Sequence, residues 1–311
     1  MLDKSEKIFL QPDAERDRKI GTFDDRANFE IKKESAILAD RGNGNLVENI
    51  RIFGVLKGIK IYAATDRGLG NEDNNDRVII NADSARFSVL DGMLSADASQ
   101  ILAKKILVNP DNLEKALDEA KSEMMARHVN DGACLVSAEL TPGNILRVSQ
   151  IGDCGALVLD PSGKIKFSAT QQVRFRSTAL EVNMKELGIK QTSQMLIETS
   201  PRSFVSGSSG DLYSYDDFQL TKGDTTLLFS DVIWSNFSMS EISQFIKQNK
   251  APRDLFEKIA EELRRKMQSA NNIFSSKGDD VFPSFKERTQ CYYGGDYVPN
   301  SDNQSLILFQ V

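Results

Sequence analysis

Short apolar runs that stop at an acidic residue recur along this chain, and they constrain its fold more than any other feature. Arg86-Phe87-Ser88-Val89-Leu90 runs into Asp91-Gly92, and Ile145 to Gln150 is followed by Gly152-Asp153. Thr225 to Phe229 ends at Ser230-Asp231, and Asp302-Asn303 stands just before Leu306-Ile307-Leu308-Phe309. Apolar runs of about four to eight residues bounded by Asp, Asn and Gly read as strands. Ile59 to Ala64, Arg77 to Asn81 and Ala133 to Glu139 add more strands, and Gly155 to Leu159 pairs with Ile165 to Phe167 through the turn Asp160-Pro161-Ser162-Gly163. Between them lie helical spacings. One covers Asp97 to Val108, and a second uses Leu113, Ala116, Leu117, Ala120 and Met124, with Asp111 or Asn112 as its cap. Ser240 to Gln248 and Pro252 to Met267 complete the helices. Strands, two helices, strands, two helices and a final strand predict an α+β fold, with sheets packed together and helices outside.

Composition narrows the chemistry. A single histidine, His128, excludes sites built from several imidazoles, and its place predicts a helix-end residue near the C-terminal dipole. The 39 Lys+Arg against 45 Asp+Glu give a net charge of −6, which argues against nucleic acid as the partner. No apolar run approaches the roughly 18 residues of a membrane span, so a soluble protein with no membrane association is expected. Three widely spaced cysteines, Cys134, Cys154 and Cys291, fit a reducing compartment, hence the cytoplasm. Residues 1–57 carry 11 Lys+Arg and 11 Asp+Glu with scattered apolar residues, and read as a partly ordered N-terminal extension to a domain spanning 58–311. Residues 170–217, polar and rich in Ser and Gly, read as a substrate-facing insertion.

Acidic residues at strand ends, Glu72-Asp73, Asp91, Asp153, Asp231 and Asp302, suit hard divalent cations, which take oxygen ligands. Two ions held by bridging carboxylates can acidify a water and clamp a phosphoryl group, while the same carboxylates without cations repel one another.

The order of these motifs resembles the metal-dependent protein phosphatases, the type 2C serine/threonine phosphatases. Those carrying the resemblance are Thr65-Asp66-Arg67-Gly68 leading to Asn71-Glu72-Asp73, Phe87 to Met93, Gly132-Ala133-Cys134, Val148 to Cys154, Leu220 to Asp231 and Ser301 to Ser305. The resemblance implies a four-layer α-β-β-α sandwich with two Mg2+ or Mn2+ ions in the cleft between two mostly antiparallel sheets. Asp91 would bridge both ions and the Gly92 carbonyl would complete one site. Glu72 or Asp73, Asp231 and Asp302 would hold the other, making Asp91, Asp231 and Asp302 the catalytic carboxylates. A metal-bridging hydroxide would attack the phosphorus of phosphoserine or phosphothreonine in a phosphorylated protein substrate. Asp153 matches a residue that helps bind a third metal in some members, and Asn303 would sit behind Asp302 and orient it.

The chain also departs from the pattern. The glycine pair and histidine that usually follow Asp-Gly are here replaced by Met93-Leu94-Ser95, and the acidic residue expected four positions beyond Asp231 is Ser235. The family's phosphate-binding arginine falls at Gly68, which makes Arg67, one position away, the expected substitute. Two other readings stay open. One is a catalytically weak or inactive phosphatase-like module that docks a partner kinase or regulatory protein through the N-terminal extension. The other is an unrelated metal-dependent hydrolase on a similar sandwich.

Overall fold

The computed structural model of the chain describes residues 9–10, 36–38, 51–56, 59–69, 73–81, 84–169, 173–179, 195–201, 203–207, 214–277, 291–293, 296–298 and 302–311. Its strands, in chain order, are β1 (Phe9–Leu10), β2 (Ala36–Leu38), β3 (Arg51–Leu56), β4 (Ile59–Asp66), β5 (Arg77–Asn81), β6 (Arg86–Gly92), β7 (Ala133–Thr141), β8 (Ile145–Ile151) and β9 (Gly155–Leu159). They continue with β10 (Ile165–Ser168), β11 (Val173–Ala179), β12 (Met195–Pro201), β13 (Ser214–Gln219), β14 (Thr225–Phe229), β15 (Cys291–Tyr293), β16 (Asp296–Val298) and β17 (Gln304–Gln310). The helices are α1 (Asp97–Val108), α2 (Leu113–Ala126), α3 (Asp231–Asn236), α4 (Met239–Gln248) and α5 (Pro252–Lys277).

Among the described residues a seven-stranded sheet runs β1-β2-β5-β6-β7-β8-β13, and a six-stranded sheet runs β10-β9-β14-β17-β4-β3. Pairing is antiparallel apart from β1 with β2. β2 and β3, from the first 57 residues, therefore join one sheet each. β11 and β12 pair with each other, and β15 with β16.

Alternation along each strand explains the layers, because successive side chains point to opposite faces. Val78 and Ile80 of β5, Phe87 and Val89 of β6, Val136 and Ala138 of β7 meet Ile61 and Ala63 of β4, Val158 of β9, Leu228 of β14, Ile307 and Phe309 of β17 in one core between the sheets. Phe87 and Phe309 bridge the two sheets with ring centroids 4.9 Å apart. The opposite face of the seven-stranded sheet gives Ile79, Leu90 and Leu135 to a second core with Ile101, Leu102, Leu117 and Met124 of α1 and α2. On the other side, Tyr62, Leu157, Leu227, Phe229 and Leu308 pack on Ile242, Leu255, Phe256, Ile259 and Leu263 of α4 and α5. The result is the four-layer α-β-β-α sandwich. Strands such as β5 and β14 are buried at every position because both of their faces are covered, so they read as unbroken apolar runs.

Helix ends are set locally. The Asn112 side chain caps α2 by accepting from Lys115 N–H at 2.9 Å, and Ser238 and Glu241 form a reciprocal capping box on α4. At the far end of α2, His128 takes the left-handed conformation with φ 53°, while Val129 N–H donates back to the Met124 carbonyl at 2.9 Å. The one histidine is thus a helix terminator in a conformation that costs an L-residue about 1 kcal/mol. Replacing His128 by Gly is expected to stabilise the protein by up to about 1 kcal/mol, read from urea unfolding midpoints; an unchanged or lower midpoint contradicts this.

Candidate metal centre

The same alternation carries polar groups into the mouth of the inter-sheet core. In β6 the inward series Phe87, Val89 continues to Asp91. In β5 the inward residues Val78 and Ile80 extrapolate back to Asp76, and in β17 Ile307 and Phe309 extrapolate back to Ser305 and Asn303. Strand register puts all of these at one end of the sandwich. Arg77 pairs with Leu90, Asp91 with Cys134 and Leu135 with Ile151, which gathers Asp76, Asp91 and the Gly152-Asp153 turn. In the other sheet Gln304 pairs with Asp66, Leu306 with Phe229 and Phe229 with Gly155, which gathers Asp302, Asp231 and Cys154. Rigid strand ends from both sheets therefore fix the carboxylates.

Electrostatics shows how close they come. Asp91 is pushed well above the usual carboxylate range, first by burial and then by Asp76, Asp231, Asp153 and Asp302. Asp231 rises likewise through burial and then Asp153, Asp302 and Asp76. Burial and then Asp302 bring Asp76 to about 7, and burial lifts Asp153 to about 6. Asp76 is fully buried, and neither of its carboxylate oxygens has a hydrogen bond of normal geometry; Asp153 Oδ1 is likewise without one. The Ser305 and Ser230 hydroxyls pull the Asp76 pKa down, but Ser305 Oγ donates to Thr65 Oγ1 at 2.8 Å and Ser230 Oγ accepts from Ser305 N–H at 3.0 Å. Arg77, next in sequence, turns its guanidinium to Gln100 and to the carbonyls of Asn74 and Asp76.

The loop before β5 is tied down by one side chain. Asn303 Nδ2 donates to the carbonyls of Arg67 (2.9 Å) and Asp73 (3.0 Å), and Asn303 Oδ1 accepts from Asn75 N–H (2.9 Å). Its own N–H donates to Asp302 Oδ1 at 2.7 Å. Two glycines fit because nothing larger would. A Cβ on Gly92 would lie 2.6 Å from the Asn75 carbonyl oxygen, and one on Gly152, at φ +89°, would lie 2.4 Å from Cys134 Sγ.

Asp91, Asp153, Asp231 and Asp302 thus share one electrostatic cluster, with Gly92 and Asn303 beside it. Arg67 is half-buried directly after β4. Glu72 lies outside the described residues, and Asp73 is exposed. The residue from this loop that faces Asp302 is Asp76, which sequence reasoning passed over. A signal was present: Asn71-Glu72-Asp73 and Asn74-Asn75-Asp76 both read Asn-x-Asp, and only the second is in phase with Val78 and Ile80.

Among the described residues, no three carboxylate, thiol or imidazole groups surround a single point as placed. The donor set nevertheless fits hard divalent cations. It is all oxygen, anionic and buried, and the oxygens left without partners on Asp76 and Asp153 are what a bound cation would satisfy.

No family model and no curated protein matches the sequence. Solved structures do. PppA, "a key regulatory component of T6SS in Pseudomonas aeruginosa", is 14% identical with a TM-score of 0.55, covering 81% of this chain and 97% of its own. The chain has the type 2C phosphatase fold. The serine-threonine phosphatase 2C from Toxoplasma gondii is 12% identical with a TM-score of 0.53, over 89% of this chain and 99% of that one. The catalytic domain of the serine/threonine phosphatase PstP, solved with two manganese ions, is 16% identical with a TM-score of 0.51, over 81% and 97%.

Uncompensated carboxylates give the metal-free protein a definite pH signature. Asp76 titrates near 3.8 when unfolded and at about 7 when folded, so between those values the folded state holds a proton that the unfolded chain has lost. Stability from this group therefore falls as pH rises from about 4 to 7. In EDTA, the melting temperature is expected to be higher at pH 5.5 than at pH 7.5, with a smaller difference in Asp76→Asn and with added Mn2+. An equal slope in wild type and variant contradicts the assignment.

Proposed function

We propose that this chain is a magnesium- or manganese-dependent protein serine/threonine phosphatase. The observation that carries the reading is the gathering of buried, mutually repelling carboxylates at one end of two sheets in the type 2C phosphatase fold. Asp76, Asp91, Asp231, Asp302 and the Gly92 carbonyl are the groups proposed to hold two ions, with Asp153 as an additional ligand and with Asp76 taking the role that sequence motifs give to Glu72 or Asp73. Such ions, when bound, acidify water and neutralise phosphoryl oxygens.

The chain's own residues supply the positioning. Asp91 is fixed at the end of β6 and Asp231 at the start of α3, two residues beyond β14, and Asn303 holds the Arg67 to Asn75 loop against the start of β17. Arg67 is proposed to face the substrate phosphate. The one histidine, His128, terminates α2, and none stands where the type 2C pattern sometimes places one, so protonation of the leaving serine or threonine falls to water. The proposed substrate is a phosphorylated protein, by analogy with the serine/threonine protein phosphatase PstP. A cytoplasmic site of action fits the two free, buried thiols of Cys134 and Cys154. Among the described residues no helix is long and apolar enough to cross a membrane.

One observation favours a second reading. The loop after Gly92 carries Met93-Leu94-Ser95 in place of small residues, which suits a weak or inactive phosphatase-like module that binds a partner, a kinase or regulatory protein, through residues 1–57. Turnover separates the two. With Mn2+, the wild-type protein is expected to hydrolyse p-nitrophenyl phosphate and a phosphothreonine peptide. Asp91→Ala and Asp76→Asn are expected to lower kcat/KM by roughly a hundredfold or more, and Asp73→Asn by less than about threefold. Absence of metal-dependent turnover in folded wild-type protein would sink the enzyme reading.

A further inference from the structure

The loop that follows the Asp91 strand is rigid and apolar, and its apolar groups face outward. Met93 is 37% exposed and Leu94 60% exposed. Fraying does not account for this exposure. One half-buried carboxylate, Asp131, accepts from Leu94 N–H (3.0 Å), Ser95 N–H (3.1 Å), Ser95 Oγ (2.8 Å) and Gly132 N–H (2.7 Å). Met93 N–H continues the β6–β7 ladder by donating to the Gly132 carbonyl at 3.0 Å. Gly132 has the Phe204 ring on its other side, so close that a Cβ there would come within 2.4 Å of the ring. Phe204 comes from the segment after β12, which Val205 stitches to Ala133 by two backbone hydrogen bonds of 2.8 and 3.0 Å. Met93 and Leu94 thus form an exposed apolar ledge beside Gly132, on a backbone held in place by Asp131.

We infer that this ledge of Met93 and Leu94 receives an apolar side chain flanking the phosphorylated residue of the substrate. The inference rests on the phosphatase reading and names the class of phosphopeptide that the site prefers. Distance supports it, because Met93 stands two strand residues beyond Asp91, about 7 Å along the chain. A phosphorylated residue seated at Asp91 therefore sets its neighbours one or two positions away against Met93 and Leu94, since an extended peptide has the same rise per residue. Rigidity supports it as well. The backbone at Leu94 and Ser95 is already fixed by Asp131 and need not be ordered on contact, which makes an apolar contact there count toward selectivity. A second copy of the chain or a partner docking on this ledge would obstruct the carboxylate cluster beside it.

The test compares two phosphoserine peptides of equal length and charge, with leucine or with serine on both sides of the phosphoserine, in the presence of Mn2+. Wild-type protein is expected to favour the leucine peptide in kcat/KM by about tenfold. Leu94→Ser should bring that ratio to within about twofold of unity, and Leu94→Met should keep it. Leu94 is exposed, so neither change removes a core contact. A wild-type ratio near one, or a ratio that Leu94→Ser leaves intact, overturns the inference while leaving the phosphatase reading standing, provided p-nitrophenyl phosphate is hydrolysed. Tight binding of the unphosphorylated leucine peptide with no preference in turnover overturns it too, in favour of partner docking. If neither peptide nor the aryl phosphate turns over, the phosphatase reading fails and this inference falls with it.

Discussion

Negative charge concentrated at the mouth of the inter-sheet core is the constraint on which this structure turns. The inward faces of β5, β6 and β17 are apolar along their length and become polar only at the last residue or two, so the carboxylates of Asp76 and Asp91 are anchored by the same packing that holds the sheets together. Their mutual repulsion adds to the desolvation of each, and the Ser305 and Ser230 hydroxyls and Arg77 relieve it only in part at Asp76. A compensating cation or bound protons would relieve the rest.

Support comes from residues that carry no net charge. Asn303 joins the loop before β5 to the start of β17, linking one sheet's carboxylate to the other's through three hydrogen bonds to main-chain groups. Gly92 lets that loop lie against the end of β6, and Gly152 turns the chain from β8 to β9 over Cys134. Each glycine tolerates little, because side-chain bulk at Gly92 would push the Asn75-Asp76 segment away from Asp91, and bulk at Gly152 would lift the Asp153 turn off β7.

Much of the fold was legible from periodicity. Arg77 to Asn81, Asp97 to Val108, Gly155 to Leu159 and Thr225 to Phe229 have the boundaries that the sequence pattern suggests, since each is flanked by Asp, Asn, Gly or Pro. Helix α5 runs well past Met267, where the apolar spacing thins out into Gln268-Ser269-Ala270-Asn271-Asn272 and leaves no pattern to follow. β2 and β3 were harder, because strands paired at or near a sheet edge need little apolar alternation. Within the cluster, Asp91, Asp231 and Asp302 announce themselves as the terminal residues of apolar runs. Asp76 does not, since it competes with a more familiar Asn-Glu-Asp three residues earlier; only knowing which face of β5 looks inward distinguishes the two.

The position of β17 has a consequence for how the molecule is made. It lies between β14 and β4 in the six-stranded sheet, so β4, formed from residues near 60, waits for a partner about 240 residues later in the chain. Until residues 304–310 leave the ribosome, β4 and β14 each present an open hydrogen-bonding edge, and the two halves of that sheet have no direct connection. Such long-range closure slows assembly, because loop-closure entropy is lost before the pairing forms. Asp302 arrives with that same strand, so the carboxylate cluster is completed in the step that closes the sheet.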